Sequence, residues 1–166
     1  MLFFLLMFVG FMIGILYKGK VQKLEIKYMF LIVVLVFSSL LIIFLKMKSI
    51  FIVSEIMQVL LILFIIYENK KELSVLLIGI GYILNLIVMI TNNGAMPVKT
   101  SLIVESSDVK HILMTDSSHV KWLSDIIYLP HPLDMWMKVS SVGDIIIAFG
   151  FMFLFVKLGY IFNKNN

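Results

Sequence analysis

The chain contains no cysteine and no arginine, has only three prolines, and only 14% of its 166 residues are charged. Without cysteine, disulfides, thiolate zinc sites and cysteine nucleophiles are excluded. Without arginine there is no planar guanidinium fork for phosphates or base edges. The fourteen basic residues are all lysines set between apolar runs, so nucleic acid is not an expected partner. What the chain has in abundance is hydrophobic side chains, 61% of the total, well beyond soluble compositions. A single integral membrane domain is predicted, with the lipid bilayer as its first partner and no cofactor.

Apolar runs of roughly 17–25 residues are long enough to cross a bilayer as helices. Five runs approach or reach that length: Leu2–Tyr17, Ile26–Leu45, Ser49–Tyr67, Leu73–Ile90 and Val142–Phe162. The predicted fold is therefore all-α, a polytopic membrane helix bundle of about five transmembrane helices. The first run lacks a basic segment ahead of it and a small-residue cleavage pattern, and its lysines follow the apolar core, so it is expected to be retained and not removed as a signal peptide.

Lysine placement sets the expected orientation. Lys18, Lys20, Lys23, Lys27, Lys70, Lys71 and Lys164 fall on one side, against Lys46 and Lys48 in the short connector on the other. Basic residues in short loops favour the cytoplasm, which puts the amino terminus outside, the carboxyl terminus in the cytoplasm and the long segment Thr91–Ser141 outside. Within that segment "SLIVESSDVKHILM" and "DSSHVKWLSDIIYLP" carry apolar residues near helical spacing, such as Val120, Leu123 and Ile127. Short amphipathic interfacial helices are expected there, with Trp122, Trp136 and Tyr128 at headgroup depth. Pro130-His131-Pro132 then turns the chain back.

Polar residues within apolar runs are costly, so their placement is informative. Glu55 stands out as an ionisable residue deep in the third run, with Ser54 and Gln58 nearby and Gln58 on its face at i+3. Asn85 lies before the end of the fourth run, Ser38 and Ser39 before the end of the second, and Asp144 opens the fifth. The five-span layout assigns all of these, with Asn92 and Asn93, to one leaflet. Two readings compete: a hydrophilic binding cluster of Glu55, Gln58, Asn85, Asn92, Asn93 and Asp144, or hydrogen bonds that glue helices together. "TNNGAMP" has the Asn-Gly and following Pro of a helix end with a left-handed cap, and Ser141 with Asp144 reads as a capping box. His111, His119 and His131 share the long segment with Asp108, Asp116 and Asp125 but lack metal-ligand spacing, so no metal is expected. Gly10-x-x-x-Gly14 permits close helix contact.

"NGAMPV" at Asn93–Val98, "LSDIIYLP" at Leu123–Pro130 and "SSVGDIIIAFG" at Ser140–Gly150 resemble, across most of the chain, a family of small bacterial multi-span membrane proteins whose function is unknown. That resemblance implies topology and bacterial inner-membrane location, but no activity. A fainter similarity is to the bacterial lipoprotein signal peptidase, an aspartic membrane protease whose last span opens with an Asp followed six residues later by Gly, as Asp144 and Gly150 are here. The chain departs from that family in the span before, where Asn85 is followed by Leu86 and no Asp, and in placing "NNGA" after the fourth span. Asp144 is the residue that resemblance carries over, and Asp125 would be a partner supplied by this chain alone. Two classes therefore stand: a non-enzymatic accessory subunit or small-solute or lipid-handling component, partnered by another membrane protein or a second copy, and an intramembrane aspartyl hydrolase using Asp144 with Asp125 or Glu55. A carboxylate pair within about 6 Å would mark the hydrolase.

Overall fold

The computed structural model describes residues 2–17, 37, 48–69, 72–99, 110–131 and 139–165, with backbone alone at 2–4, 48–52, 54, 55 and 165. Among them four helices dominate: α1 (Leu2–Leu16), α2 (Lys48–Glu68), α3 (Leu73–Thr91) and α4 (Val142–Asn165). Each lies on one of the apolar runs. The run Ile26–Leu45, with Ser38 and Ser39, falls outside the described residues apart from Phe37. Among the described residues two helical stretches are long and apolar enough to cross a membrane, Leu73–Thr91 and Val142–Lys164, while Leu5–Leu16 and Ile56–Glu68 are shorter apolar stretches.

Glycine sets how closely α4 is approached on two sides. On one, a Cβ at Gly10 would run into the Met152 carbonyl oxygen and one at Gly14 into that of Val156, while Gly159 of α4 lies against the Phe11 carbonyl in return. Contacts that rise together in both numberings make α1 and α4 parallel. On the other side, a Cβ at Gly81 would stand 2.5 Å from the Gly143 carbonyl oxygen, and one at Gly150 would stand 3.0 Å from that of Ser74. Here one numbering rises as the other falls, so α3 and α4 are antiparallel. Small residues at such crossings let backbones meet where larger side chains would hold them apart. Helices α2 and α3 form a hairpin across Asn69–Glu72, closed by Ile62, Ile65, Val75 and Ile78. The faces turned away from these contacts carry exposed Phe8, Met57, Leu60, Phe64, Ile80, Ile87, Phe149 and Phe153.

The segment between α3 and α4 differs from expectation. Its described residues form a small β cap where amphipathic helices are expected, so the structure is mostly helical and not all-α. Strand β1 (Met96–Val98) pairs in parallel with β2 (His111–Leu113), and β3 (Ile127–Tyr128) pairs antiparallel with β4 (Val139–Ser140). A single 3-10 turn, Lys121–Leu123, is the helical remnant of "DSSHVKWLSDIIYLP". Residues 101–109 of the other stretch lie outside the described residues, and its described end is β2. The physical reason is that β1 is fully buried and its backbone groups need partners. Met96 N–H donates to Lys110 O at 2.7 Å and Met114 N–H to Val98 O at 2.9 Å. On the other edge Asp125 N–H donates to Pro97 O at 3.1 Å. A helix through these residues would satisfy its own backbone and leave β1 unpaired. Helical continuation is also blocked locally, because Val120 sits in the left-handed region at φ 51°.

Candidate functional site

The polar residues gather where α3 ends and α4 begins. The end of α3 is closed by a left-handed Asn93 at φ 55° and Gly94 at φ 84°, with Gly94 N–H reaching back to Met89 O at 2.7 Å, the six-to-one bond of a Schellman cap. The start of α4 is a full capping box. Asp144 N–H donates to Ser141 Oγ at 2.9 Å, and Ser141 N–H donates to Asp144 Oδ2 at 3.3 Å. The carboxylate also meets the positive end of the helix dipole.

Asn85 joins this box from the facing helix. Its Nδ2 donates to Asp144 Oδ1 at 2.8 Å and its Oδ1 accepts from Ser141 Oγ at 2.9 Å, while Ser140 Oγ lies 3.5 Å from Asp144 Oδ2. Gly143 makes this reach possible, since a Cβ there would overlap the Asn85 amide. Asn85, Ser140, Ser141 and Asp144 are all buried. Both carboxylate oxygens and both Asn85 side-chain atoms are engaged, so the arrangement is a closed joint.

The other residues of the expected cluster are placed as follows. Asn92 is buried and clamps the cap to α3: its Oδ1 accepts from His119 N–H at 2.8 Å, and its Nδ2 donates to His119 O at 2.9 Å and Val88 O at 2.8 Å. Asn93 is exposed at the turn. Gln58 is buried on α2. The Glu55 side chain lies outside the described residues, although its backbone is helical within α2.

Asp125 forms a parallel bridge with Val98 of β1. Its backbone is fixed from both directions, N–H to Pro97 O and its own O accepting from Lys99 N–H at 3.1 Å. Its carboxylate is buried, with Oδ2 3.4 Å from His111 Nε2 and Oδ1 without a hydrogen-bond partner among the described residues. Among those residues no group of three or more His, Asp and Glu comes together.

A second polar contact lies beyond the residues singled out from the sequence. Lys157 lies inside α4 and donates through Nζ to Glu72 Oε2, just ahead of α3, with both side chains largely buried. A lysine inside an apolar run is the signal that could have found it. No curated protein and no solved structure matches the chain. A family model does match, over residues 23–156, and the chain belongs to that family, the family of unknown function DUF5317.

Proposed function

We propose that the chain is a non-enzymatic, five-span protein of the bacterial inner membrane, an accessory component whose cap outside the membrane is its binding element. The observation that carries the non-enzymatic reading is the closed Asn85–Ser141–Asp144 joint: a carboxylate whose two oxygens already accept hydrogen bonds from fixed donors is built to hold helices and not to exchange protons with a substrate. The alternative, an aspartyl hydrolase like the lipoprotein signal peptidase, needs a second carboxylate beside the first, and Asp125 is turned to His111.

Helix directions support five spans. Helix α1 runs parallel to α4, and α2, α3 and α4 alternate, so α1 ends and α2 begins at opposite ends of the bundle. That arrangement is what a further span at Ile26–Leu45, the run expected from the sequence, would require. The apolar outer faces of the helices fit lipid.

Two experiments test this. Purified protein in detergent should leave a prolipoprotein substrate uncleaved, and cleavage lost in Asp144→Asn would sink the non-enzymatic reading. Because the chain has no cysteine, single replacements report topology cleanly. Cysteine at Ser117 should react with an impermeant maleimide on intact cells while cysteine at Asn163 reacts only after lysis, and the reverse pattern would invert the orientation.

A further inference from the structure

The 3-10 turn at Lys121–Leu123 is bolted to the helix bundle more firmly than an exposed loop requires. Asn92 grips His119, two residues before the turn, through both backbone groups. Val120 is then forced into the left-handed region, costly for a β-branched side chain. Leu123 at the end of the turn is buried against Val88, Met89 and Met96. Between these fixed points Trp122 is held out, 69% exposed. Strain of this kind persists only where surrounding contacts over-determine it, and here its result is to present one large indole outward at the level of the α3 terminus. The end of α3 also carries exposed Ile87 and Ile90.

We propose that Trp122 is an interfacial anchor: its indole inserts at the glycerol and headgroup level of the leaflet next to the cap, and the strained turn fixes the cap's height on the bilayer. The partner is the lipid surface itself, because the turn packs through Leu123 on the end of α3 and the indole combines a large ring with one N–H donor, the combination that settles at membrane interfaces. Lys121 at its side is engaged with the Asp116 carbonyl at 2.9 Å and leaves the ring as the turn's contact. This inference rests on the membrane reading above.

The test uses the two tryptophans of the chain. Trp136→Phe leaves Trp122 as the sole indole emitter in full-length protein reconstituted into phosphatidylcholine vesicles. Lipids brominated near the top of the acyl chains should quench its emission about twofold, and lipids brominated near the chain ends clearly less, as expected for a ring at headgroup depth. Flotation with the vesicles is measured in parallel. Failure to float defeats the membrane reading. Flotation with no quenching by either lipid, or with quenching only by aqueous acrylamide, overturns the anchor and leaves the membrane reading intact. Stronger quenching from the chain ends also overturns it, since the ring would then lie within the hydrocarbon. Trp122→Phe, measured through Trp136 emission and flotation, checks that the fold survives loss of the ring.

Discussion

Helices α3 and α4 are antiparallel neighbours, and the pair is tied at its two ends by different chemistry. At the cap end Asn85, Ser141 and Asp144 share short hydrogen bonds inside a capping box. At the other end Lys157 and Glu72 face each other as an ion pair. The first tie satisfies groups that any helix start leaves open, so the carboxylate is useful even before the second helix arrives. The second has no local role: Glu72 occupies the N-cap position of α3 but its side chain makes no cap hydrogen bond. It exists only because α3 and α4 pack. One end is therefore a local motif borrowed for tertiary contact, and the other is a purely tertiary contact between charges.

The largest expected effect follows from that contrast. Removing one member of a buried ion pair leaves the other charge uncompensated and costs about 3–5 kcal/mol, whereas replacing both with apolar residues recovers much of the loss. Lys157 retains some exposure, so Lys157→Met should fall at about the lower end of that range, near 3 kcal/mol. Glu72→Leu should cost a similar amount, and the double variant should regain most of it. Unfolding of purified protein in detergent by urea, followed by circular dichroism, measures all three. Strictly additive losses would show that the two charges do not depend on each other.

A smaller effect is expected at the cap end. Asp144→Ala strands Asn85 Nδ2 and the Ser141 N–H in a buried site, each an unsatisfied donor, for about 2–3 kcal/mol in all. Asp144→Asn keeps the shape but turns an amino group towards existing donors at one of its two positions, and about 1–2 kcal/mol should be lost. Combining Asp144→Ala with Asn85→Ala should cost less than the sum of the single losses, because the stranded amide goes too. Additivity in that cycle would mean that box and amide act independently, and the joint between helices would reduce to a cap.

How much of this could be read from sequence depends on how local each cause is. The α3 and α4 extents follow the apolar runs, since a helix that buries one side and exposes another apolar side has to be apolar throughout. Ser141 and Asp144 were legible as a box because both partners lie within four residues, and the Asn93-Gly94 turn was legible because few residues accept a positive φ. Asn85 was legible as polar in an apolar run, but not that it would meet Asp144, which depends on Gly143 and Gly81 letting the backbones close. The cap was misread for the same reason in reverse. Val120, Leu123 and Ile127 have helical spacing, yet β1 is a buried strand with two open edges, and the demand it places on residues far along the chain outweighs a weak local pattern. The Lys157–Glu72 pair spans 85 positions and has no local signature beyond a lysine where lipid would be expected.

The smallest effect is expected at Asp125, which tests whether the closed state of Asp144 is what makes that residue costly to change. Both are buried aspartates, and Asn is nearly the same shape as either. Asp125 is tied to the cap by its backbone, through Pro97 O and Lys99 N–H, and those bonds survive any side-chain change. Its carboxylate has one oxygen 3.4 Å from His111 Nε2, long for a hydrogen bond, and the other without a partner among the described residues. A buried, under-satisfied carboxylate costs stability that a neutral amide does not. Asp125→Asn should therefore lie within about 1 kcal/mol of wild type and can raise stability, in the same urea unfolding that reads a clear loss for Asp144→Asn. A loss at Asp125 as large as that at Asp144 would show that its carboxylate is held as tightly, and the distinction between a closed joint and an idle buried acid would fail.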